Sequence, residues 1–192
     1  MQYAIKDDKR IEATKDATAL CPCCSSIVVA KCGLINVHHW AHKTARDCDP
    51  WYEPESSWHR TWKERVDSKY REITIIKENE THRADIQLPD HTVIELQHSP
   101  ISPEDIFARE SFYQKMIWII DGESFSDRFI TYNKGDYYTF RWKHAHKAWH
   151  FATCPLYIDF GGDTLFLIRK IHVGDTVGGW GEFRKYEDVL KL

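Results

Sequence analysis

Short runs of β-branched and aromatic residues recur along the chain and predict β-strands. The clearest are residues 73–76, 83–88, 92–97 and 116–120, and further runs lie at 128–132, 137–142, 156–160 and 165–171. Near the N terminus, residues 3–5 and 11–13 predict one hairpin, and residues 27–31 and 34–38 predict a second with Cys32-Gly33 at its turn. Most of the regular structure is therefore expected to be strand.

Two segments predict helices. Residues 55–70 place Glu55, His59, Lys63 and Val66 on one helical face, next to a face that carries two tryptophans. A second helix begins at Ser102-Pro-Glu-Asp, where serine suits the N-cap and proline the first helical position. The order of helix, strands, helix and strand predicts an α/β or α+β fold with a mixed β-sheet flanked by helices.

A change in composition marks a boundary between two parts of the chain. Residues 43–54 contain charges, two prolines and no hydrophobic periodicity, which is typical of a linker. We therefore predict a small β-hairpin segment at residues 1–50 and a larger domain at residues 51–192.

Composition narrows the possible classes of function. With 192 residues, 42% of them hydrophobic, the chain can bury a core, but no apolar run approaches the roughly 18 residues of a membrane span. The charged start of the chain predicts no signal peptide, so we expect a soluble, cytoplasmic protein without a membrane partner. The net charge of −3 does not favour an extended nucleic-acid surface, so contact with DNA requires a local basic patch.

Cysteine and histidine are concentrated in the N-terminal segment. Cys-Pro-Cys-Cys at 21–24 is followed by His-His-Trp-Ala-His at 38–42, and thiolate and imidazole are the ligands of tetrahedral zinc. Either His38 or His39 can pair with His42, and Cys48 can replace a histidine; the alternative is a group of reduced cysteines beside surface histidines. We favour a structural zinc site with the ligands Cys21, Cys24, His39 and His42, whose metal helps to fold the segment.

Two acidic residues lie symmetrically about a turn. Asp85 and Glu95 are equidistant from Asp90, so a hairpin centred there brings their side chains to about 5 Å from each other. Facing carboxylates repel unless a cation lies between them, and carboxylate oxygens suit Mg²⁺. The alternative is an exposed hairpin whose acids face solvent.

The same region resembles a known family. The segment ADIQLPDHTVIELQHSPIS is similar to the D-xn-E-x-Q-x-S-x-I-S region of the competence protein CoiA family of predicted nucleases. ESSWH at 55–59, CPCC and HHWAH match further family-like motifs in the same order, so the resemblance covers most of residues 1–121. It implies a restriction-endonuclease-like core of the PD-(D/E)XK type.

The resemblance also implies roles for individual residues. Asp85 and Glu95 would bind a catalytic Mg²⁺ or Mn²⁺, and Gln97, which stands where many relatives have lysine, would position water without carrying charge. Glu55 is the candidate for a further metal ligand, with His59 one helical turn later. The alternatives are an acid favoured at a helix start and a packed or surface histidine.

Basic residues suggest where DNA would bind. Arg83 and Arg109 are candidates for phosphate contacts, and the alternative for each is a simple ion pair. The segment 141–150 interleaves cations, including Arg141 and Lys143, with two tryptophans and contains no acid, a pattern suited to single strands. The alternative is a solvated strand or loop whose tryptophans pack on the core.

Together these features predict a Mg²⁺-dependent deoxyribonuclease with a zinc-stabilised N-terminal segment, acting in DNA uptake, recombination or defence. Two alternatives stay open. One is a nuclease fold that binds DNA without cutting it, and the other is a factor whose zinc segment docks a protein partner.

Overall fold

The computed structural model describes residues 1–34, 37–44, 48–174 and 176–191. The chain divides into two compact units, residues 1–87 and residues 88–192. Strands dominate both units and helices are few, so the structure is mixed α+β and contains a mixed sheet, as the sequence predicts. Among the described residues, no helix is long and apolar enough to cross a membrane.

The first unit begins with a five-stranded antiparallel sheet in place of the predicted pair of hairpins. Its strands, in the spatial order β2-β1-β3-β4-β5, are β1 (Tyr3–Lys6), β2 (Lys9–Glu12), β3 (Thr18–Leu20), β4 (Ile27–Lys31) and β5 (His39–His42). The core of this sheet contains Ala4, Ala19, Val28 and Trp40. Strand β5 starts later than the predicted run at 34–38, because Trp40 is the residue that the core buries; residues 35 and 36 of that run lie outside the described residues.

A helix and a strand pair complete the first unit. They are α1 (Ser57–Glu64), a short 3-10 helix (Ser68–Tyr70), β6 (Arg71–Lys77) and β7 (Glu80–Gln87). Helix α1 is shorter than predicted: Ser56 is its N-cap and its hydroxyl accepts a hydrogen bond from the His59 N–H group. Strands β6 and β7 pair antiparallel, with Lys77 opposite Glu80 at the turn.

The second unit is built on a mixed sheet. Within the unit the strand order is β10-β11-β14-β13-β12-β9-β8, and β9 is parallel to both β8 and β12. The strands are β8 (Val93–Gln97), β9 (Met116–Asp121), β10 (Phe129–Asn133), β11 (Tyr138–Trp142), β12 (Leu156–Asp159), β13 (Thr164–Val173) and β14 (Val177–Lys185). The α-helices described in this unit are α2 (Pro103–Tyr113) and the short α3 (Tyr186–Val189), and two short 3-10 helices span Glu123–Arg128 and Lys147–Phe151.

The parallel strands β8 and β9 form the buried centre of the second unit. Every residue of both strands is buried, as expected for parallel strands covered on both faces. Helix α2 connects them, and it begins as predicted, with Ser102 as N-cap and Pro103 at its first position. Burial of the whole of β8 takes its polar residues Glu95 and Gln97 out of water.

Strand β14 is not among the predicted elements, because its sequence VGGWGEF resembles a turn. The glycines allow close approach to neighbouring strands: a Cβ atom on Gly181 would lie 2.2 Å from the carbonyl oxygen of Leu167. Glycine is therefore a packing requirement of this sheet.

We expect Gly181→Ala to lower the free energy of unfolding by about 1–3 kcal/mol, because the added methyl group must push the strand β13 backbone away. Gly174→Ala is the matched control, since its nearest neighbour is the carbonyl oxygen of Thr176 at 3.9 Å. Urea denaturation measures both. Equal stability of the two variants would contradict the close approach of β13 and β14.

Candidate functional site

A buried lysine is surrounded by carboxylates in the first unit. The Lys63 side chain is 1% exposed, and its Nζ atom lies 2.7 Å from Glu55, 3.0 Å from Glu72 and 3.8 Å from Asp85. Burial alone lowers the pKa of Lys63, but the three carboxylates outweigh it and raise the pKa above its ordinary value. Lys63 is therefore a permanent cation.

Glu72 connects this group to the first strand of the chain. Its carboxylate accepts hydrogen bonds from the backbone N–H groups of Gln2, at 2.7 and 2.8 Å, and Tyr3, at 3.1 Å. Burial raises the pKa of Glu72. Lys63, Arg83 and the N-terminal ammonium lower it by a larger amount, so the pKa lies well below the ordinary value for glutamate. Its backbone φ of +46° is strained for a residue other than glycine, and these bonds hold it there.

Asp85 is the most accessible carboxylate around Lys63. Its side chain is 24% exposed, whereas those of Glu55 and Glu72 are almost completely buried. Glu55 also lies 3.7 Å from the Arg60 guanidinium. Of the three carboxylates around the lysine, Asp85 is therefore the one that solvent reaches best.

His59 has a structural role at the start of α1. Its Nδ1 atom lies 2.7 Å from the Ser56 hydroxyl, and its Nε2 atom lies 3.2 Å from the Glu53 carboxylate. Burial lowers the pKa of His59, but Glu53 and Asp85 raise it by more. These contacts correspond to the packed histidine that the sequence left as an alternative to a catalytic one.

Arg83 lies among acids. Burial lowers the pKa of the Arg83 side chain, but neighbouring groups, among them Glu72 and Asp49, raise it by a larger amount. The backbone N–H group of Arg83 donates a hydrogen bond to the Asp49 carboxylate at 2.9 Å. The Arg83 side chain is partly buried, and the phosphate contact suggested by the sequence stays a prediction.

In the second unit, Glu95 and Gln97 share a buried arginine. Arg109 of α2 donates to Glu95 at 3.0 Å and to Gln97 at 3.5 Å, and the Gln97 amide donates to the Ser99 carbonyl at 2.9 Å. Arg109 is only 8% exposed, and its contact with Glu95 matches the ion pair that the sequence left as an alternative to a phosphate contact.

Polar residues also gather where the two parallel strands end. His98 follows β8, and its Nδ1 atom lies 2.7 Å from the carboxylate of Asp121, the last residue of β9. Both residues line a small cavity together with Arg128, His144 and His146. The carboxyl ends of parallel strands are a common place for ligand contacts.

The basic segment at 141–150 divides between surface and core. Arg141 and Lys143 are exposed, whereas Trp142 and Trp149 are buried. The tryptophans therefore pack in the core, which is the alternative that the sequence left open. The cations are accessible, but these two rings are not available for stacking on bases.

The N-terminal sheet carries a group with metal-ligand spacing. One ligand atom from each of its four side chains lies within 4.8 Å of the others, and the four are Cys21, Cys24, His42 and Cys48. The Sγ atoms of Cys21 and Cys48 are 3.6 Å apart, and Cys24 Sγ lies 3.4 Å from His42 Nε2. The backbone N–H group of Cys23 donates to Cys21 Sγ at 3.4 Å. This Cys3His group can bind a metal such as zinc.

Cys48 takes the place that the sequence analysis gave to His39. Alternate residues of a strand point to opposite faces, so His39 and His42 of β5 diverge, while Trp40 and His42 share a side. His39 Nδ1 instead lies 2.8 Å from the Val37 carbonyl oxygen. The predicted pairing of His39 with His42 requires a compact chelate, whereas both residues lie on the extended strand β5.

The thiols of this group have strongly perturbed acidities. Hydrogen bonds from the Cys23 thiol and from nearby backbone N–H groups lower the pKa of Cys21 to about 4. Burial and the neighbouring Cys21 raise the pKa of Cys48 to about 12. Crowded thiols that oppose one another's ionisation are the environment that a bound cation relieves, so the residues fit zinc.

Comparison with known families identifies the chain. The model for the N-terminal domain of competence protein CoiA matches residues 4–50, and the model for the CoiA nuclease-like domain matches residues 70–172, more than half of the chain. The chain belongs to the competence protein CoiA family, as the motifs predicted. Comparisons with curated proteins and with solved structures gave no significant match. The nuclease-like domain indicates a nuclease-type function.

The sequence analysis missed the roles of Lys63 and Glu72. It placed Lys63 on the same helical face as Glu55 and His59, and that shared face was the available signal. For Glu72, the backbone N–H groups that it binds lie some 70 positions earlier in the chain, and no local pattern indicates them.

We expect Lys63→Met to lower the free energy of unfolding by about 3–5 kcal/mol, because it leaves buried carboxylates without their cation. Lys69→Met is the matched control, since that side chain is exposed and its ion pair with Asp67 is screened by solvent. Chemical denaturation at neutral pH measures both.

The same pair of variants gives a pH test. The low pKa of Glu72 stabilises the wild type above the ordinary glutamate pKa of 4.5, and this contribution is lost as the pH falls through the folded-state pKa. The difference in the free energy of unfolding between wild type and Lys63→Met should therefore become smaller at acid pH. A difference that is constant with pH would contradict the ion pairing.

Proposed function

We propose that this protein is a metal-dependent nuclease that hydrolyses DNA phosphodiester bonds, with Asp85 and Glu95 as ligands of Mg²⁺ or Mn²⁺. The observation that carries the proposal is the match of residues 70–172 to a nuclease-like domain, a range that contains both carboxylates. The name of the family suggests a role in DNA uptake or recombination, and a cytoplasmic location belongs to the same proposal.

The turn after β7 supports the proposed pairing of the two acids. The backbone N–H group of Leu88 donates to the Thr92 carbonyl at 2.9 Å. Residues 88 and 92 are equidistant from Asp90, as Asp85 and Glu95 are, so this bond follows the register that the sequence predicts. Asp90 itself accepts from the Thr92 N–H group at 3.0 Å, which stiffens the turn.

The chemistry of the residues suits a hard cation. Carboxylate oxygens are the ligands that Mg²⁺ prefers, and such a site commonly uses one or two carboxylates plus water. When bound, the ion would polarise the phosphodiester and lower the pKa of a coordinated water. Asp85 is partly accessible to water, and the Glu95 carboxylate accepts a hydrogen bond from Arg109 at 3.0 Å.

Lys63 supplies a positive charge beside Asp85. Its ammonium group lies 3.8 Å from Asp85 and keeps its proton, so it stabilises negative charge electrostatically and does not act as a base. Gln97 is oriented by Arg109 and by the Ser99 carbonyl, and its proposed role is to position water.

The remaining residues of the proposed site act by positioning. Glu55 is bound to Lys63 at 2.7 Å, so its contacts favour orienting the lysine over binding metal directly. His59 fixes the start of α1, the helix that carries Lys63. The exposed Arg141 and Lys143 are the proposed contacts to DNA phosphates.

A second candidate function is DNA binding without cleavage. It is favoured by the uncharged Gln97 and by the direct bond of Arg109 to Glu95, since an arginine competes with a metal for the same carboxylate oxygen. Metal-dependent cleavage separates the two functions.

We expect wild-type protein to cut labelled DNA in Mg²⁺ or Mn²⁺ and not in EDTA. Asp85→Asn and Glu95→Gln should each lower the rate by at least about a hundredfold, because each removes a charged metal ligand. Glu80→Gln is the matched control, as its side chain on β7 is 67% exposed. Cleavage that persists in EDTA, or that is equal in all variants, would contradict the proposal.

For the N-terminal sheet we propose a structural zinc ion bound by Cys21, Cys24, His42 and Cys48. Four protein ligands leave no open position for chemistry, so this ion would stabilise the fold. Among the described residues, the buried core of this sheet is small and includes three alanines, Ala4, Ala13 and Ala19, which offer little apolar area of their own.

We expect Cys48→Ser and His42→Ala to lose the bound zinc, because each removes one of four ligands. His39→Ala and Cys32→Ser are the controls and should keep it; Cys32 bonds to the Ala13 carbonyl, outside the group. Elemental analysis of the purified proteins measures the zinc content. Full zinc in Cys48→Ser, or loss in His39→Ala, would overturn this ligand set.

A further inference from the structure

One face of the antiparallel sheet in the second unit carries a row of residues across four strands. Tyr132 of β10 is opposite Thr139 of β11, Thr139 is opposite Trp180 of β14, and Trp180 is opposite Lys170 of β13. Directly opposed residues of an antiparallel sheet point to the same side. The tyrosine, the tryptophan and the lysine therefore share one face.

The next row on this face is basic as well. Arg141 of β11 lies opposite Ile130 of β10 and Gly178 of β14, and Gly178 lies opposite His172 of β13. Arg141, Lys170 and His172 are all exposed. We call the residues Tyr132, Tyr137, Arg141, Lys170, His172 and Trp180 the aromatic sheet face.

The aromatic rings of this face lie open to solvent. Trp180 is 38% exposed, Tyr132 is 43% exposed and Tyr137 is 42% exposed, and the Tyr137 ring meets the Trp180 ring edge-on at 5.8 Å. The opposite face of the same strands buries Phe140, Trp142 and Phe166 in the core. The core therefore already has its own aromatic layer, and the outer rings are additional to it.

The charge of the face is positive. The acid nearest to Trp180 on the same side of β14 is Glu182, whose carboxylate is bound by Arg169 at 2.6 Å and by Arg184 at 2.7 Å. That acid is therefore neutralised locally, while Arg141 and Lys170 remain exposed at the surface. A protein with a net charge of −3 thus has a local cationic surface, and that surface contains aromatic rings.

Exposed rings beside cations fit one chemical class of ligand. Bases of a single strand expose their flat faces and stack on aromatic side chains, while cations neutralise the phosphates. Trp180 and Tyr132 are two strands apart, about 10 Å, which is wide enough for separate bases. In a duplex the faces of the bases are covered by their neighbours and cannot reach the rings.

We propose that the aromatic sheet face binds single-stranded nucleic acid, with Trp180 and Tyr132 as stacking platforms and Arg141 and Lys170 as phosphate contacts. The role of this surface in holding a strand for cleavage rests on the proposed nuclease function, but binding does not. The proposal places base stacking on this face and not on the tryptophans of residues 141–150. The reason is that alternation along β11 turns Trp142 inward and Arg141 outward.

Fluorescence anisotropy in EDTA tests the proposal without cleavage. The probe is a labelled oligothymidylate of about 12 nucleotides, within the usual range of single-strand sites. Trp180→Ala and Tyr132→Ala should each weaken binding by about tenfold, and Trp180→Phe by less, since it keeps a ring. Phe107→Ala is the matched control, because Phe107 is 74% exposed on α2 and lies off this face.

Salt dependence separates stacking from charge. Arg141→Gln and Lys170→Gln should each reduce the slope of log affinity against log salt by about 0.7, whereas Trp180→Ala should leave the slope unchanged. Lys134→Gln, an exposed lysine beyond the end of β10, is the charge control. Circular dichroism verifies that every variant is folded.

Three results would overturn the proposal. They are equal binding by Trp180→Ala, Tyr132→Ala and Phe107→Ala, equally tight binding of a duplex of the same length, and a wild type that self-associates through Trp180 but binds no oligonucleotide. None of them would alter the cleavage measured for Asp85→Asn and Glu95→Gln, so the two proposals fail separately. A ribose oligonucleotide of the same length shows whether the face discriminates between sugars.

Discussion

The first unit depends on a buried ammonium group, that of Lys63, held between carboxylates. A charge removed from water is tolerated only when partners replace its hydration, and here Glu55 and Glu72 do so at 2.7 and 3.0 Å. Glu72 in turn accepts the backbone N–H groups of Gln2 and Tyr3. One ion network therefore connects the start of the chain with α1, β6 and β7, and it keeps a permanent cation beside Asp85.

The proposed nuclease function uses this network on the side of Asp85. In that proposal, Lys63 stabilises negative charge near Asp85, and Gln97 of β8 orients water. Arg109 donates a hydrogen bond to Glu95 at 3.0 Å, and the Lys63 ammonium lies 3.8 Å from Asp85, so each of the two carboxylates has a cationic neighbour. The hydrogen bond from Arg109 also makes the Glu95 carboxylate less available to a metal ion.

Local patterns predicted much of the fold. Period-two runs located most strands, and the Ser102-Pro103 cap located α2, because these signals act over a few residues. His39 was predicted as the fourth ligand of the Cys3His group because strand alternation was not applied to β5. The fourth member of the group is Cys48, which lies outside the helices and strands. The environment of Lys63 was not predicted for a related reason: Glu72, one of its partners, is itself bound by backbone N–H groups some 70 positions earlier in the chain, which no local pattern contains.

In the proposed nuclease, Asp85 and Glu95 are the ligands of a hard divalent cation. Electron paramagnetic resonance of Mn²⁺ added to zinc-loaded protein tests it directly, without substrate or turnover. We expect one Mn²⁺ site in the wild type and in Glu80→Gln. The affinity for Mn²⁺ should be lower by about 10–100-fold in Asp85→Asn and in Glu95→Gln. Equal Mn²⁺ binding by all four proteins would contradict the account and leave a nuclease-like fold that binds nucleic acid without metal chemistry.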